Sequence, residues 1–135
     1  MKFTNYSLDD LNHIATEIIA KSSHKIISFQ GDLGAGKTTL IKALVKTLGI
    51  EDHVSSPSFS LVNPYEAKDV KVFHFDFYRI NSIEEVYDIG FEDYLNQDAW
   101  IFIEWPEKIE RIIDFEHHKI KIQFNELLQR ELTFI

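Results

Sequence analysis

Apolar and polar positions along the chain keep two rhythms. Leu8, Leu11, Ala15 and Ile18 share one helical face, widened by Ile14 and Ile19, and predict a helix over 8–21. Ser7 has N-cap chemistry, and Asp9 and Asp10 in the first turn suit the positive end of the helix dipole. Leu40, Ile41, Leu44, Val45 and Leu48 repeat the spacing, and Gly49 stands where a helix commonly ends in a left-handed residue. The second rhythm is alternation. Across Asp69 to Arg79 it puts Val70, Val72, His74, Asp76 and Tyr78 on one face and Lys71, Phe73, Phe75, Phe77 and Arg79 on the other. The phenylalanine face predicts a core layer under a helix. The polar trio His74, Asp76 and Tyr78 must face a cleft or be internally bonded, because a buried unpaired polar row costs free energy.

Other stretches complete the elements. Ile26-Ile27-Ser28-Phe29 reads as a buried strand, and Ala99-Trp100-Ile101-Phe102-Ile103 is a continuous apolar run of strand length that fits a strand covered on both faces, as in a parallel sheet. Ser58 to Val62 alternates as a half-buried strand; Asn63-Pro64 is expected to break it, leaving a polar turn over 63–69. Ser82-Ile83-Glu84-Glu85 is a capping box that opens a short helix, Gly90 ends it, and Phe91 to Leu95 makes a further turn. Glu107 to Phe115 reads as a charged loop with a helical turn. Lys119 to Phe124 and Arg130 to Phe134 read as an antiparallel hairpin, and Lys2 to Tyr6 as a short strand. The expected class is α/β: three layers, a P-loop NTPase-like fold, a mixed and largely parallel central sheet, and a C-terminal antiparallel hairpin. Residues 1–135 are expected to form a single domain.

Composition narrows the function classes. There is no cysteine, so disulfides and thiolate metal sites are excluded. No apolar run approaches a membrane span, and the first residues lack the apolar core of a signal peptide, so a cytoplasmic location is expected. The net charge of −8, with arginine only at 79, 111 and 130, argues against autonomous nucleic-acid binding, which needs clustered cations. His13 and His24 have no neighbouring ligands at metal spacing and read as surface residues.

The chemistry-bearing stretch is Gly31-Asp32-Leu33-Gly34-Ala35-Gly36-Lys37-Thr38, which fits the phosphate-binding pattern G-x-x-x-x-G-K-[ST]. Backbone N–H groups can reach phosphate oxygens only where no Cβ obstructs them, which accounts for the glycines. Lys37 supplies a mobile charge for the terminal phosphates, Thr38 a hydroxyl for Mg²⁺, and the following helix points its N-terminus at the anion. The apolar run ending in Glu104 is the pattern of a Walker-B carboxylate that holds Mg²⁺ directly or through water. Trp105 is expected beside the nucleotide or over the sheet edge. Ser55, Ser56 and Ser58 occupy the place of a nucleotide-sensing loop.

Taken together, the phosphate loop, Ser56-Pro57-Ser58-Phe59, His74-Phe75-Asp76-Phe77-Tyr78-Arg79 and Glu104-Trp105-Pro106 stand in an order and spacing that resembles the TsaE (YjeE) family. The family usually has Thr at the place of Ser58 and Leu at the place of Phe77. The resemblance implies an ATPase of tRNA threonylcarbamoyladenosine biosynthesis. It also implies binding to the TsaD–TsaB heterodimer, with tRNA met only through that complex. It implies ATP and Mg²⁺ as ligands, with Asp32, Leu33, Gly34, Ala35, Gly36, Lys37, Thr38, Thr39 and Trp105 at the nucleotide. Thr38 and Glu104 would hold the metal, and Lys37, Asp76 and Glu104 would serve catalysis. Asp76 would position or deprotonate the attacking water, or orient a water on Mg²⁺. Ser7 and Arg130 are weaker candidates for nucleotide contact.

Other readings compete with this one. A small-molecule kinase would use Asp76 as base toward a substrate hydroxyl, but no arginine-bearing lid is visible. A GTPase would carry N-K-x-D, which is absent. A nucleotide-dependent scaffold without turnover would share every binding residue. No arginine finger is evident within the motifs, so hydrolysis is expected to be slow alone and faster with the partners.

Overall fold

The structure, a computed structural model, describes residues 1–51 and 61–135. Ser55, Ser56 and Ser58, and most of the strand expected over Ser58–Val62, lie outside the described residues. The strands are β1 (Lys2–Thr4), β2 (Ile26–Gln30), β3 (Val62–Ala67), β4 (Val70–Asp76), β5 (Trp100–Glu104), β6 (His118–Phe124) and β7 (Arg130–Phe134). The α-helices are α1 (Leu11–Lys21), α2 (Lys37–Thr47), α3 (Glu84–Asp88) and α4 (Phe91–Leu95), with 3-10 segments at Leu8–Asp10 and Pro106–Ile112.

Among the described residues the strands form one seven-stranded sheet, ordered β1-β7-β6-β2-β5-β4-β3. The parallel pairings are contiguous at its centre, β6 with β2, β2 with β5 and β5 with β4, and the antiparallel pairs lie at the two margins. This is the mixed sheet that the alternating and continuous apolar runs imply. The expected hairpin forms with Ile122 opposite Leu132, and β1 extends it by pairing Phe3 with Leu132.

Helices cover both faces. On one side α1 and α2 bury Ile14, Ile18, Leu40, Ile41 and Leu44 against Phe29, Val72, Phe102, Ile120 and Leu132. On the other, Phe73, Phe75 and Phe77 pack with Val86, Phe91, Ile101, Ile103 and Ile109. The two faces of β4 therefore divide as its alternation predicts. Phe91 meets Phe75 and Phe77 edge-on, with ring centroids 5.0 and 5.6 Å apart, and each such pair adds about 0.5–1.5 kcal/mol beyond area burial.

Two local expectations change. Pro64 does not break a strand: β3 runs through it, with Pro64 opposite Phe73, and the turn shrinks to Lys68-Asp69. β3 is the sheet's edge, where a missing N–H costs no ladder bond. The first helix starts as a 3-10 turn. Ser7 donates to the Asp10 carboxylate from its N–H (2.8 Å) and its hydroxyl (3.1 Å), and the tighter winding leaves Leu8 exposed. No helix of the described residues is long and apolar enough to cross a membrane.

Candidate active site

Parallel pairing brings the ends of β2, β4 and β5 to one edge of the sheet. Glu104 stands in register with Phe29 of β2 and Asp76 of β4, and this carboxyl edge is where open α/β sheets bind ligands. From β2 the chain passes through residues 31–36 into α2. A Cβ on Gly31 would lie 2.8 Å from the Ile122 carbonyl oxygen, so only glycine lets the loop leave β2 hard against β6. Gly36, with φ of 108°, takes a left-handed turn into α2 that side chains resist. The first turn of α2 then offers unsatisfied N–H groups at its positive end. Within the loop, the Ala35 N–H donates to the Asp32 carbonyl at 3.0 Å.

Lys37 is buried. Its ammonium donates to the Gly31 carbonyl and lies 3.5 Å from the centroid of the Trp105 ring. Burial pulls its pKa down, and the carboxylates of Glu104, Glu107, Asp76 and Asp32 pull it back up. Trp105 holds a left-handed conformation, φ 59° and ψ 53°. For a non-glycine residue this costs on the order of 1–3 kcal/mol and persists where the surroundings over-determine it. Here Lys37 stands over its ring, and the Tyr78 ring lies 4.8 Å away.

Glu104 is buried at the end of β5. The Thr38 hydroxyl lies 3.3 Å from each of its carboxylate oxygens, and His74 Nε2 lies 2.6 Å from Oε2. A hydroxyl and a carboxylate this close are hard oxygen donors of the kind Mg²⁺ takes alongside phosphate and water, so the residues present fit the expected metal. Asp76 is half-buried beside them. Its Oδ1 accepts the Tyr78 N–H at 3.0 Å. Burial raises its pKa most; the Tyr78 N–H lowers it, Glu104 raises it, and His74 and Lys37 lower it.

An open cavity of about 240 Å³ is lined by Leu33, Gly34, Gly36, Lys37, Thr38, Thr39, Asp76, Tyr78, Glu104 and Trp105. The predicted site residues therefore converge, except that the Ala35 side chain is buried beneath the loop and Asp32 does not line the cavity. A larger hollow of about 560 Å³, floored by Ser28, Gln30, Lys119 and Lys121, contains none of the phosphate-loop residues. The polar trio of β4 is split: His74 is bonded inside, Asp76 lines the cavity, and Tyr78 lies past the strand end, partly exposed.

One contact goes beyond the sequence, and one weak candidate from it reaches the loop. His74 was readable as a polar residue on the right face, but its partner lies on a different strand and no spacing reveals it. Arg130, from the far end of the chain, arrives beside the loop: a Cβ on Gly36 would lie 3.9 Å from its Cζ. Its Nε is buried with no hydrogen-bond partner among the described residues, and the guanidinium lies over the Phe124 ring at 5.2 Å. The Ser7 hydroxyl, the other weak candidate, is engaged with Asp10.

Comparison with known proteins bears on this geometry. The family model described as "Threonylcarbamoyl adenosine biosynthesis protein TsaE" matches residues 6–132. The tRNA threonylcarbamoyladenosine biosynthesis protein TsaE of Haemophilus influenzae is 40% identical over 88 residues, which are 65% of this chain and 56% of that protein. The protein of the same description in Bacillus subtilis is 34% identical over 109 residues, 81% of this chain and 68% of that one. The match thus spans little more than half the length of the Haemophilus relative. Among solved structures, that of Bacillus subtilis YdiB superposes with a TM-score of 0.80 at 27% identity, covering 99% of this chain and 83% of that one.

Proposed function

The chain belongs to the TsaE family of threonylcarbamoyl adenosine biosynthesis proteins, and from that premise we propose that it is a Mg²⁺-dependent ATPase serving tRNA threonylcarbamoylation with a TsaD–TsaB heterodimer. The observation that carries the reading is the convergence of Lys37, Thr38, Asp76 and Glu104 on one cavity at the carboxyl edge of the parallel strands. The loop N–H groups and the start of α2 receive the phosphates. Lys37 exchanges the Gly31 carbonyl and the Trp105 ring for the β- and γ-phosphate oxygens. Thr38 and Glu104 hold Mg²⁺, which when bound neutralises charge on the transferring phosphoryl group. Thr39 adds a contact to the α-phosphate, and Arg130 adds a cation beside Gly36.

Asp76 positions the attacking water. One of its oxygens is fixed by the Tyr78 N–H, which leaves the other to accept a hydrogen bond. Its raised pKa moves it toward the range in which a carboxylate serves as a general base. Tyr78 and Trp105 line the same cavity, beside Asp76. ATP hydrolysis resets the partner complex between modifications of the adenosine beside the anticodon in ANN-decoding tRNAs.

Isothermal titration with ATP and phosphate-release assays test this. Wild type is expected to bind ATP in Mg²⁺ and hydrolyse it slowly. Lys37→Ala should lose binding or turnover, and Glu104→Ala should weaken the Mg²⁺ dependence. A wild-type chain that binds no ATP in Mg²⁺ would overturn the proposal.

A further inference from the structure

We propose that His74 is a positioning residue for Glu104, pinning one carboxylate oxygen so that the other faces the divalent ion; this rests on the reading of Glu104 as a Mg²⁺ ligand. His74 is fully buried in the middle of β4. Its strand neighbours are Asn63 on β3 and Phe102 on β5, and Val72, two residues before it on the same face, belongs to the apolar core under α1 and α2. An imidazole at such a place is expensive unless its polar atoms are used.

Among the described residues its only hydrogen bond goes to Glu104: Nε2 meets Oε2 at 2.6 Å, while Nδ1 has no partner among them. A histidine retained to stitch strands together would be expected to bond the backbone. This one gives its hydrogen-bonding capacity to a single carboxylate. A carboxylate accepts, so Nε2 is the nitrogen that donates to it, and Nδ1 takes no part in the contact. The contact is diagonal across the sheet. Asp76 is the register partner of Glu104, and His74, two residues earlier on the same face, reaches the same side chain.

His74 also breaks the symmetry of the carboxylate. Thr38 Oγ1 is 3.3 Å from both Glu104 oxygens and does not choose between them. His74 contacts only Oε2, so Oε1 is the oxygen left for a metal. Groups that orient a metal-binding carboxylate in this way typically change metal affinity about 10–100-fold when removed.

The test is titration of the full chain with ADP, with and without Mg²⁺, for wild type, His74→Phe and His74→Gln. His74→Phe is expected to leave metal-free ADP affinity within about twofold and to raise the Mg²⁺ concentration for half-saturation about tenfold or more. His74→Gln, whose amide N–H reaches about as far as Nε2, is expected to restore most of the difference. An unchanged Mg²⁺ requirement in His74→Phe, or an equal loss with and without Mg²⁺, would overturn the inference. If His74→Phe does not fold, ¹⁵N-histidine spectra of wild type decide. One ring should show an exchange-protected Nε2 proton that moves when Mg²⁺ is added to the ADP-saturated chain, and a resonance indifferent to Mg²⁺ would refute the role. Wild type that binds no ADP under either condition would instead remove the nucleotide site itself.

Discussion

Tyr6 shows how one side chain can report on the region around Arg130. It is half-buried, and burial pushes its phenol up to about 12, opposed in part by the Arg130 guanidinium. A raised phenol means that the fold favours the neutral form. The stability this contributes is fully present below the ordinary value of 10.0 and is lost as pH rises through about 12. Tyr6→Phe cannot ionise, so its thermal midpoint is expected to fall less steeply than that of wild type between those limits. Circular-dichroism melts across the alkaline range check this. Parallel pH profiles for the two proteins would remove the assignment. At the same scale, Lys37 and Trp105 hold one another beside the loop. A buried ammonium needs compensation, and here it comes from a carbonyl and an aromatic face.

The elements differ in how much they depend on one another. Helices α3 and α4 are five residues each, far too short to persist alone. Their end and start are set by Gly90, left-handed at φ 77°, and the Glu85 carboxylate accepts the Ser82 N–H at 3.0 Å at the start of α3. What keeps α4 in place is Phe91 against the phenylalanine face of β4. Phe91→Ala should therefore cost about 3–5 kcal/mol, read as a lower urea midpoint. A loss under 1 kcal/mol would mean that this layer is held by something else. Strand β4 has a double dependence: Phe73 and Phe75 rest on α4 while His74 and Asp76 serve the opposite face. Its alternation was legible in the chain. That Pro64 could sit inside β3 was not, because edge position is a property of the sheet order and not of the segment.

For the whole molecule, the charge of −8 sets the terms of any encounter with tRNA. Few cations are available to displace counterions, so the chain alone should not retain labelled tRNA on a filter at about 150 mM salt. Retention is expected when the TsaD–TsaB pair is added, and ATP turnover should rise with it. Equal turnover with and without the pair would contradict the proposed partnership, and tight binding of tRNA by the chain alone would contradict the charge argument.

The sequence by itself determined the components: a phosphate loop whose glycines have a steric reason, an apolar strand ending in Glu104, and a β4 whose two faces separate core from chemistry. These follow from local periodicity and from backbone requirements within a few residues. The tertiary structure alone decided which strands lie side by side. Parallel pairing of β2, β5 and β4 put Lys37, Glu104 and Asp76 at one edge, diagonal contact gave His74 its carboxylate, and the C-terminal hairpin carried Arg130 to Gly36. Such contacts join residues dozens of positions apart through the sheet order, and no local pattern encodes that order.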